Sequence, residues 1–172
     1  KKILKYKKMI KFVYQDKPLG TGDAVLKTNK FIKDKYFLML LPDDLIMKKN
    51  CSKSMININK KFKCSVMASM KVKKNDVSRW GIYNIKKKIS DNNFFIKNVV
   101  EKPTTNMAPS NQAVIGRYIL PKSIFVKLKN LKPGKGGELH ITDAIQSLID
   151  DKEKFIAHKF TGKYLDCGTM KG

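Results

Sequence analysis

Asp43 and Asp44 stand side by side at the end of an apolar run, Phe37–Leu41, with only Pro42 between. Two adjacent carboxylates at a strand end repel each other or hold a cation between them. A second constellation lies upstream, where "QDKPLGTGDAV" places Gln15 ahead of Gly20 and Gly22. A glutamine amide donates and accepts at once, so it can pair with the edge of a base. The glycines make a tight turn or let the backbone approach a ligand, and free amides at a helix start favour anions. Further on, "VVEKP" sets Glu101 beside Lys102. On a regular strand these two face opposite ways, one able to hold hydroxyls and the other a phosphate. The plainer reading is a surface turn led out by Pro103. "SNQAVIGRY" adds Asn111 and Gly116, as a strand opening with a bulge or as a sugar-facing backbone. "YLDCGT" adds Asp166 next to a small-residue turn.

These groups act together only if strands and helices carry them to one place. An apolar run as short as Phe37–Leu41 suits a strand buried on both faces of a parallel sheet. The carboxyl ends of such strands are where ligands collect in open α/β sheets. "KFVYQ" (11–15) reads as a strand. "GDAVLKTNKFI" then has helical spacing, with Ala24, Val25, Leu26 and Phe31 available for a buried face. The chain from "CSVMASMKV" (64–72) through "WGIYNIKKK" and "FFIKNVVEKP" to "QAVIGRYIL" (112–120) is strand-rich. "PKSIFVKLKNLK" predicts a helix with Pro121 in its first turn, and "PGKGGE" (133–138) a loop. "DAIQSLIDD" predicts a helix capped by Thr142, with Asp143 at its positive end. "KFIAHKFTG" predicts a final strand. The order is α/β throughout, in one domain over residues 1–172, with no internal repeat.

Composition excludes several classes. A chain of 172 residues that is 42% apolar can build a core, and no stretch approaches the roughly 20 apolar residues of a membrane span. "KKILKYKKMI" is basic without an apolar region behind it, so no signal peptide is expected. Cys51, Cys64 and Cys167 are odd in number and form no Cys-x-x-Cys pair, which argues against disulfides or zinc and for a reducing cytoplasm. The net charge of +23 is of the size nucleic-acid binders carry. Yet every basic residue except Arg79 and Arg117 is lysine, and the lysines are scattered with no interleaved aromatics. Base readers lean on arginine and stacking platforms. Drift toward AT-rich codons explains abundant Lys, Asn and Ile better, so neither a specific nucleic acid nor a membrane is expected as partner. A lysine-rich polyanion-binding module, or an inactive remnant, is the non-enzymatic alternative.

In order, "QDKPLGTGDAV", "LPDDL", "WGI", "VEKP", "APSNQAVIGRYIL", "GGELHITDAI" and "DCGT" resemble the bacterial UTP–glucose-1-phosphate uridylyltransferases, which are sugar-phosphate nucleotidylyltransferases. The match runs from about residue 11 to the C-terminal end and keeps order and rough spacing. Thymidylyltransferases share the "EKP", "SN-A-G-Y" and "TD" elements and are the alternative enzyme, but "LPDD" and the glycine loop favour the uridylyl branch. The resemblance implies a Rossmann-like nucleotide-diphospho-sugar transferase sheet, mixed and mostly parallel, with flanking helices. It implies uridylyl transfer from UTP to glucose 1-phosphate, giving UDP-glucose and pyrophosphate with Mg2+ as cofactor, in a protein expected to self-associate as a homo-oligomer. Gln15 would read the uracil edge with the Gly20 backbone beside it. Asp43 would bind the metal and act with Lys102 in catalysis, Lys102 holding phosphate. Asp166 would be a second metal ligand, and Asp44 would cap the following turn. Gly81, Glu101, Asn111, Val114 and Gly116 would line the sugar pocket. Two departures stand out. The family's opening G-x-G-T-R loop is missing, so the chain is expected to be an N-terminally truncated piece that does not turn over alone. Asp23 stands where family members carry His, placing an anion beside the nucleotide loop.

Overall fold

The structure, a computed structural model, describes residues 4–134 and 137–168. Thr169 of the "DCGT" motif and residues 135–136 of the 133–138 loop lie outside the described residues. In chain order the elements begin with α1 (Thr21–Lys27), β1 (Tyr36–Leu40), β2 (Asp44–Met47), α2 (Cys51–Phe62) and β3 (Ser65–Lys71). They continue with β4 (Gly81–Ser90), β5 (Asn93–Glu101), β6 (Gln112–Pro121), α3 (Ile124–Asn130), α4 (Ile141–Asp150), β7 (Phe155–Lys159) and β8 (Lys163–Asp166). A six-stranded sheet runs in the order β1-β6-β3-β7-β5-β4, and β2 with β8 forms a separate two-stranded ribbon.

Alternation along the central strands sends side chains into two layers. Met67, Tyr118 and Leu120 point to the face covered by α1, α3 and α4, while Val66, Ala68, Ile115 and Ile119 point to the face covered by α2. Helix α4 buries Ile141, Ala144, Ile145 and Leu148, the i, i+3, i+4, i+7 stripe of an amphipathic helix. Each large apolar side chain so buried contributes about 1.5–3 kcal/mol. Helix α2 starts where the Asn50 side chain accepts from the Lys53 amide at 2.9 Å, and it stops at Lys63, left-handed at φ 53°.

The sheet is mixed, as expected, but it is not mostly parallel. Among the described residues β3–β7 is the parallel ladder, and the other pairings are antiparallel. The β4–β5 hairpin and the return of β6 explain this, because short connections join antiparallel neighbours. The strand of Phe37–Leu41 packs on both faces, Phe37 and Met39 against one apolar layer and Leu38 against the other, but only in part and in an antiparallel ladder. β1 is an edge strand, antiparallel to β6, with Leu40 48% exposed.

Local expectations also shift. Residues 11–15 form no strand; Phe12 and Tyr14 are more than four-fifths exposed, and an alternating run makes a strand only with a neighbour to pair with. The helix after the glycine loop ends at Lys27 and a 3-10 turn follows at Asn29–Phe31, leaving Ala24 and Phe31 exposed. Pro121 closes β6 instead of opening a helix, opposite Tyr36 of β1. Thr142 lies inside α4, whose cap position is His140. The amide of Ile141 instead donates at 3.3 Å to the Thr21 hydroxyl, so the first residue of α1 supplies the cap.

Candidate functional site

The turn after β1 carries Asp43 outward, and β2 begins at Asp44. The two acids have different fates. Asp44 is half-buried and saturated: its Oδ2 accepts from the Gly116 amide at 2.6 Å, and its Oδ1 accepts from the Tyr164 hydroxyl. The Asp44 carbonyl takes the Arg117 guanidinium at 2.6 Å. Asp44 thus ties the β2–β8 ribbon to β6 and does not cap the following turn. Asp43 is exposed, and its carbonyl accepts from the Cys167 amide at 2.8 Å.

That bond draws the end of β8 over the turn. Asp166 pairs with Asp44 in the ribbon register, and its Oδ1 accepts from the Gly168 amide at 2.9 Å. A Cβ placed on Gly168 would lie 3.1 Å from Asp43 Oδ2 and 3.2 Å from Asp166 Oδ1. The two carboxylates therefore flank one small space that glycine leaves open. Their donor set, two hard oxygens, fits a cation such as Mg2+. Among the described residues no group of three or more His, Cys, Asp or Glu side chains is arranged to hold a metal ion.

A second group gathers where β4 begins and β5 ends. Gly81 pairs with Glu101 across the hairpin, and a Cβ on Gly81 would meet Glu101 Oε2 at 2.9 Å and Val114 at 3.4 Å. Three residues far apart in sequence thus gather at one place, with Glu101, Val99 and Val114 packed over the bare Cα of Gly81. Asn111 lies just before β6, its carbonyl accepting from the Val72 amide at 3.0 Å. Gly116 is buried, with both backbone groups engaged: its amide by Asp44 and its carbonyl by the Leu41 amide at 2.8 Å. Its part is to have no side chain, since a Cβ would press on Asp44 and lie 2.6 Å from Leu41. Lys102 falls one residue past β5 in a left-handed turn at φ 44°, its amide bonded to the Trp80 carbonyl at 3.0 Å and its side chain exposed. The turn, not strand alternation, sets its direction.

Electrostatics join the two groups. Burial holds the Tyr118 phenol well above its ordinary range, and the charges of Asp44, Glu101 and Asp43 push it the same way. The Tyr164 phenol is raised by burial first, then by its bond to Asp44 and the charges of Asp44, Asp166 and Asp43. Both phenols stay protonated at neutral pH.

Gln15 and Gly20 belong to a third group. The Gln15 amide nitrogen donates to Asp23 Oδ2 at 2.8 Å and to the Gly20 carbonyl at 3.1 Å. Gly20 has φ 93°, and a Cβ on Gly20 or Gly22 would lie 2.7 Å from the Leu139 carbonyl. The glycines therefore permit a close approach, but of the chain to itself. The Leu139 amide donates to the Leu19 carbonyl at 2.8 Å and the Gly22 amide to the Leu139 carbonyl at 2.7 Å. Gly22's amide is consequently not free for an anion. Asp23 is 7% exposed, its carboxylate turned toward Gln15 and α1.

Comparison with known proteins decides the family. The nucleotidyl transferase family profile matches residues 2–172. The chain belongs to the nucleotidyl transferase family. This nucleotidyl transferase chain is 38% identical over 156 residues to the UTP–glucose-1-phosphate uridylyltransferase of Pseudomonas aeruginosa, covering 89% of its own length and 55% of that protein. In three dimensions it superposes on a UDP-glucose pyrophosphorylase complexed with UDP-glucose at TM-score 0.85 and 36% identity, covering 94% of itself and 62% of that chain. A UTP-bound UGPase from Acinetobacter baumannii matches at TM-score 0.80 and 30% identity, over 90% of this chain and 54% of that one. The nucleotidyl transferase chain thus spans little more than half the length of these relatives.

Sequence reasoning missed Tyr164, the tie role of Asp44 and the contact between Gln15 and Asp23. Tyr164 carried no local signal, because β8 is four residues long and the partner Asp44 lies 120 residues away. The Gln15–Asp23 contact spans a loop that no periodicity describes. No helix among the described residues is long and apolar enough to cross a membrane.

Proposed function

We propose that this chain carries the sugar-, base- and metal-facing part of a uridylyltransferase that joins UTP and glucose 1-phosphate into UDP-glucose and releases pyrophosphate. The observation that carries this reading is the gathering of Gly81, Glu101 and Val114 at one place and of Asp43 and Asp166 around Gly168 at another, with Tyr118 under the charge of both groups. Glu101 accepts hydrogen bonds from glucose hydroxyls, Val114 and the backbone of Gly81 shape the ring's seat, and Asn111 borders it. Gly116 keeps β6 close to the acid turn. Lys102 offers its ammonium to phosphate from an exposed turn. Gln15, with Gly20 beside it, meets the uracil edge. Asp43 and Asp166 would hold Mg2+, which when bound neutralises phosphate charge. Attack of the sugar-phosphate oxygen on the α-phosphorus needs no covalent intermediate, so the residues act by orientation and charge neutralisation.

The 172 residues are read as one domain, self-association is part of the proposal, and three free thiols suit a cytoplasmic setting. The test is calorimetric binding of UDP-glucose and ADP-glucose to the chain, with and without Mg2+. UDP-glucose should bind more tightly with Mg2+ and at least tenfold better than ADP-glucose, and Asp43→Asn should remove the Mg2+ effect. Equal affinity for the two sugar nucleotides, indifferent to Mg2+, overturns the reading.

A further inference from the structure

We propose that Asp23 is a positioning residue: it fixes the Gln15 amide with the oxygen outward and thereby sets which bases the loop accepts. The inference rests on the reading that Gln15 meets the base. A carboxamide has two N–H donors and one acceptor oxygen, and here both donors have inward acceptors, Asp23 Oδ2 at 2.8 Å and the Gly20 carbonyl at 3.1 Å. Turning the amide over would press its oxygen against a carboxylate and a carbonyl. The oxygen therefore faces out.

The lock is rigid on its protein side. Asp23 sits in the first turn of α1 and is 7% exposed. Gly20 is held at φ 93°, where other residues are strained, and the loop is pinned by two backbone bonds to Leu139. Lys27 is the nearby cation, but at 3.9 Å it is beyond hydrogen-bond distance, so the bond to Gln15 is the shorter commitment of the carboxylate.

An outward oxygen accepts and cannot donate. Uracil presents an N–H at ring position 3, whereas cytosine presents a bare nitrogen lone pair there. With ribose and phosphates fixing the ring's register, the loop welcomes uracil or thymine and opposes cytosine. A freely turning glutamine would serve either base. Asp23, buried beneath the amide and not itself in contact with the base, removes that freedom. The departure at this position thus puts its charge to use inward.

The experiment measures UTP and CTP binding to the chain by calorimetry, alongside the Gln15 side-chain amide signals in 1H–15N NMR spectra. Asp23→Asn is close to isosteric and offers a donor as well as an acceptor, so Gln15 can turn over. We expect the preference for UTP over CTP to fall about tenfold, mainly through tighter CTP binding, with displaced Gln15 amide signals. Lys27→Met should leave both unchanged. Parallel weakening of UTP and CTP, as a structural defect would give, overturns the inference, as does an unmoved Gln15 signal. Gln15→Ala separates the two levels. If it leaves UTP affinity intact, the base-reading role itself fails; if it weakens UTP while Asp23→Asn keeps the preference, Asp23 alone is misassigned. Should Asp23→Asn not fold, the unaltered chain still decides. Its two Gln15 amide protons must exchange slowly with water, and fast exchange overturns the lock.

Discussion

The acid turn and the glycine loop solve the same problem with different partners. Each holds one carboxylate turned inward, Asp44 in the first and Asp23 in the second, and leaves neighbouring groups facing out. Asp44 binds a backbone amide of β6 and a phenol of β8, so it fastens strands. Asp23 binds the side chain of Gln15, so it fastens a single group. The difference teaches what each acid controls. Removing Asp44 should loosen the architecture that brings Asp43 to Asp166, whereas removing Asp23 should leave the architecture and free one amide.

The largest effect that would sharpen this contrast comes from glycines. Gly116→Ala places a methyl against Asp44 and 2.6 Å from the Leu41 Cβ, on a buried position of β6 inside the sheet. We expect a loss of about 3 kcal/mol in unfolding free energy. Gly20→Ala meets the Leu139 carbonyl at 2.7 Å and is strained at φ 93°, but the half-buried loop can shift, so the cost should be nearer 1 kcal/mol. Urea denaturation of both variants checks the pair. Equal losses would break the distinction between a strand-fastening and a loop-fastening acid.

The next effect separates the adjacent acids. Asp44→Ala leaves the Gly116 amide and the Tyr164 hydroxyl unpaired in a half-buried place, and should cost about 2 kcal/mol. Asp43→Ala removes an exposed carboxylate whose side chain faces Asp166 across the Gly168 space, and stability should stay within about 0.5 kcal/mol. The same denaturation experiment, run side by side, gives the answer. A costly Asp43→Ala with a neutral Asp44→Ala would reverse the roles assigned here.

How much of this could be read from the chain depended on how far apart the partners lie. β3, β4, β5 and β6 were legible because apolar residues mark their buried positions and turn residues bracket them. The gathering of Gly81, Glu101 and Val114 was legible only as family resemblance, since strand pairing brings them together and no local pattern records pairing. The sequence misled at Phe37–Leu41, because an edge strand under half cover carries the same apolar run as a central one. Helix α2 escaped notice because few of its residues are deeply buried, Cys51 and Met55 among them, so its apolar stripe is thin. β2 and β8 are four residues each, too short for periodicity to register. The inward turn of Asp23 and Asp44 was invisible for a simpler reason. A carboxylate's direction is fixed by its hydrogen-bond partners, and these lie 8 to 120 residues away.

The smallest effect probes the phenol that only the acid turn possesses. Tyr164 donates to Asp44, and burial, that bond and three nearby carboxylates all hold its proton above the ordinary value of 10.0. In the unfolded chain the phenol loses its proton near that value. The stabilisation it gives is therefore complete below pH 10 and is lost as pH climbs from there toward the folded value. Tyr164→Phe should cost about 1 kcal/mol at pH 8, where the hydrogen bond is intact, and less at pH 11, where the unaltered chain has begun to lose its advantage. The narrowing should be a few tenths of a kcal/mol, because the half-buried phenol is screened by water. Other buried tyrosines, Tyr83 and Tyr118, add their own alkaline sensitivity, so the reading is the difference between variant and parent at each pH. The loop has no counterpart: Gln15 does not titrate, and Gln15→Leu should shift stability equally at pH 8 and pH 11. A Tyr164→Phe cost that stays constant across that range would mean the phenol is not held by Asp44, and the tie between ribbon and sheet would have to rest on Gly116 and Arg117 alone.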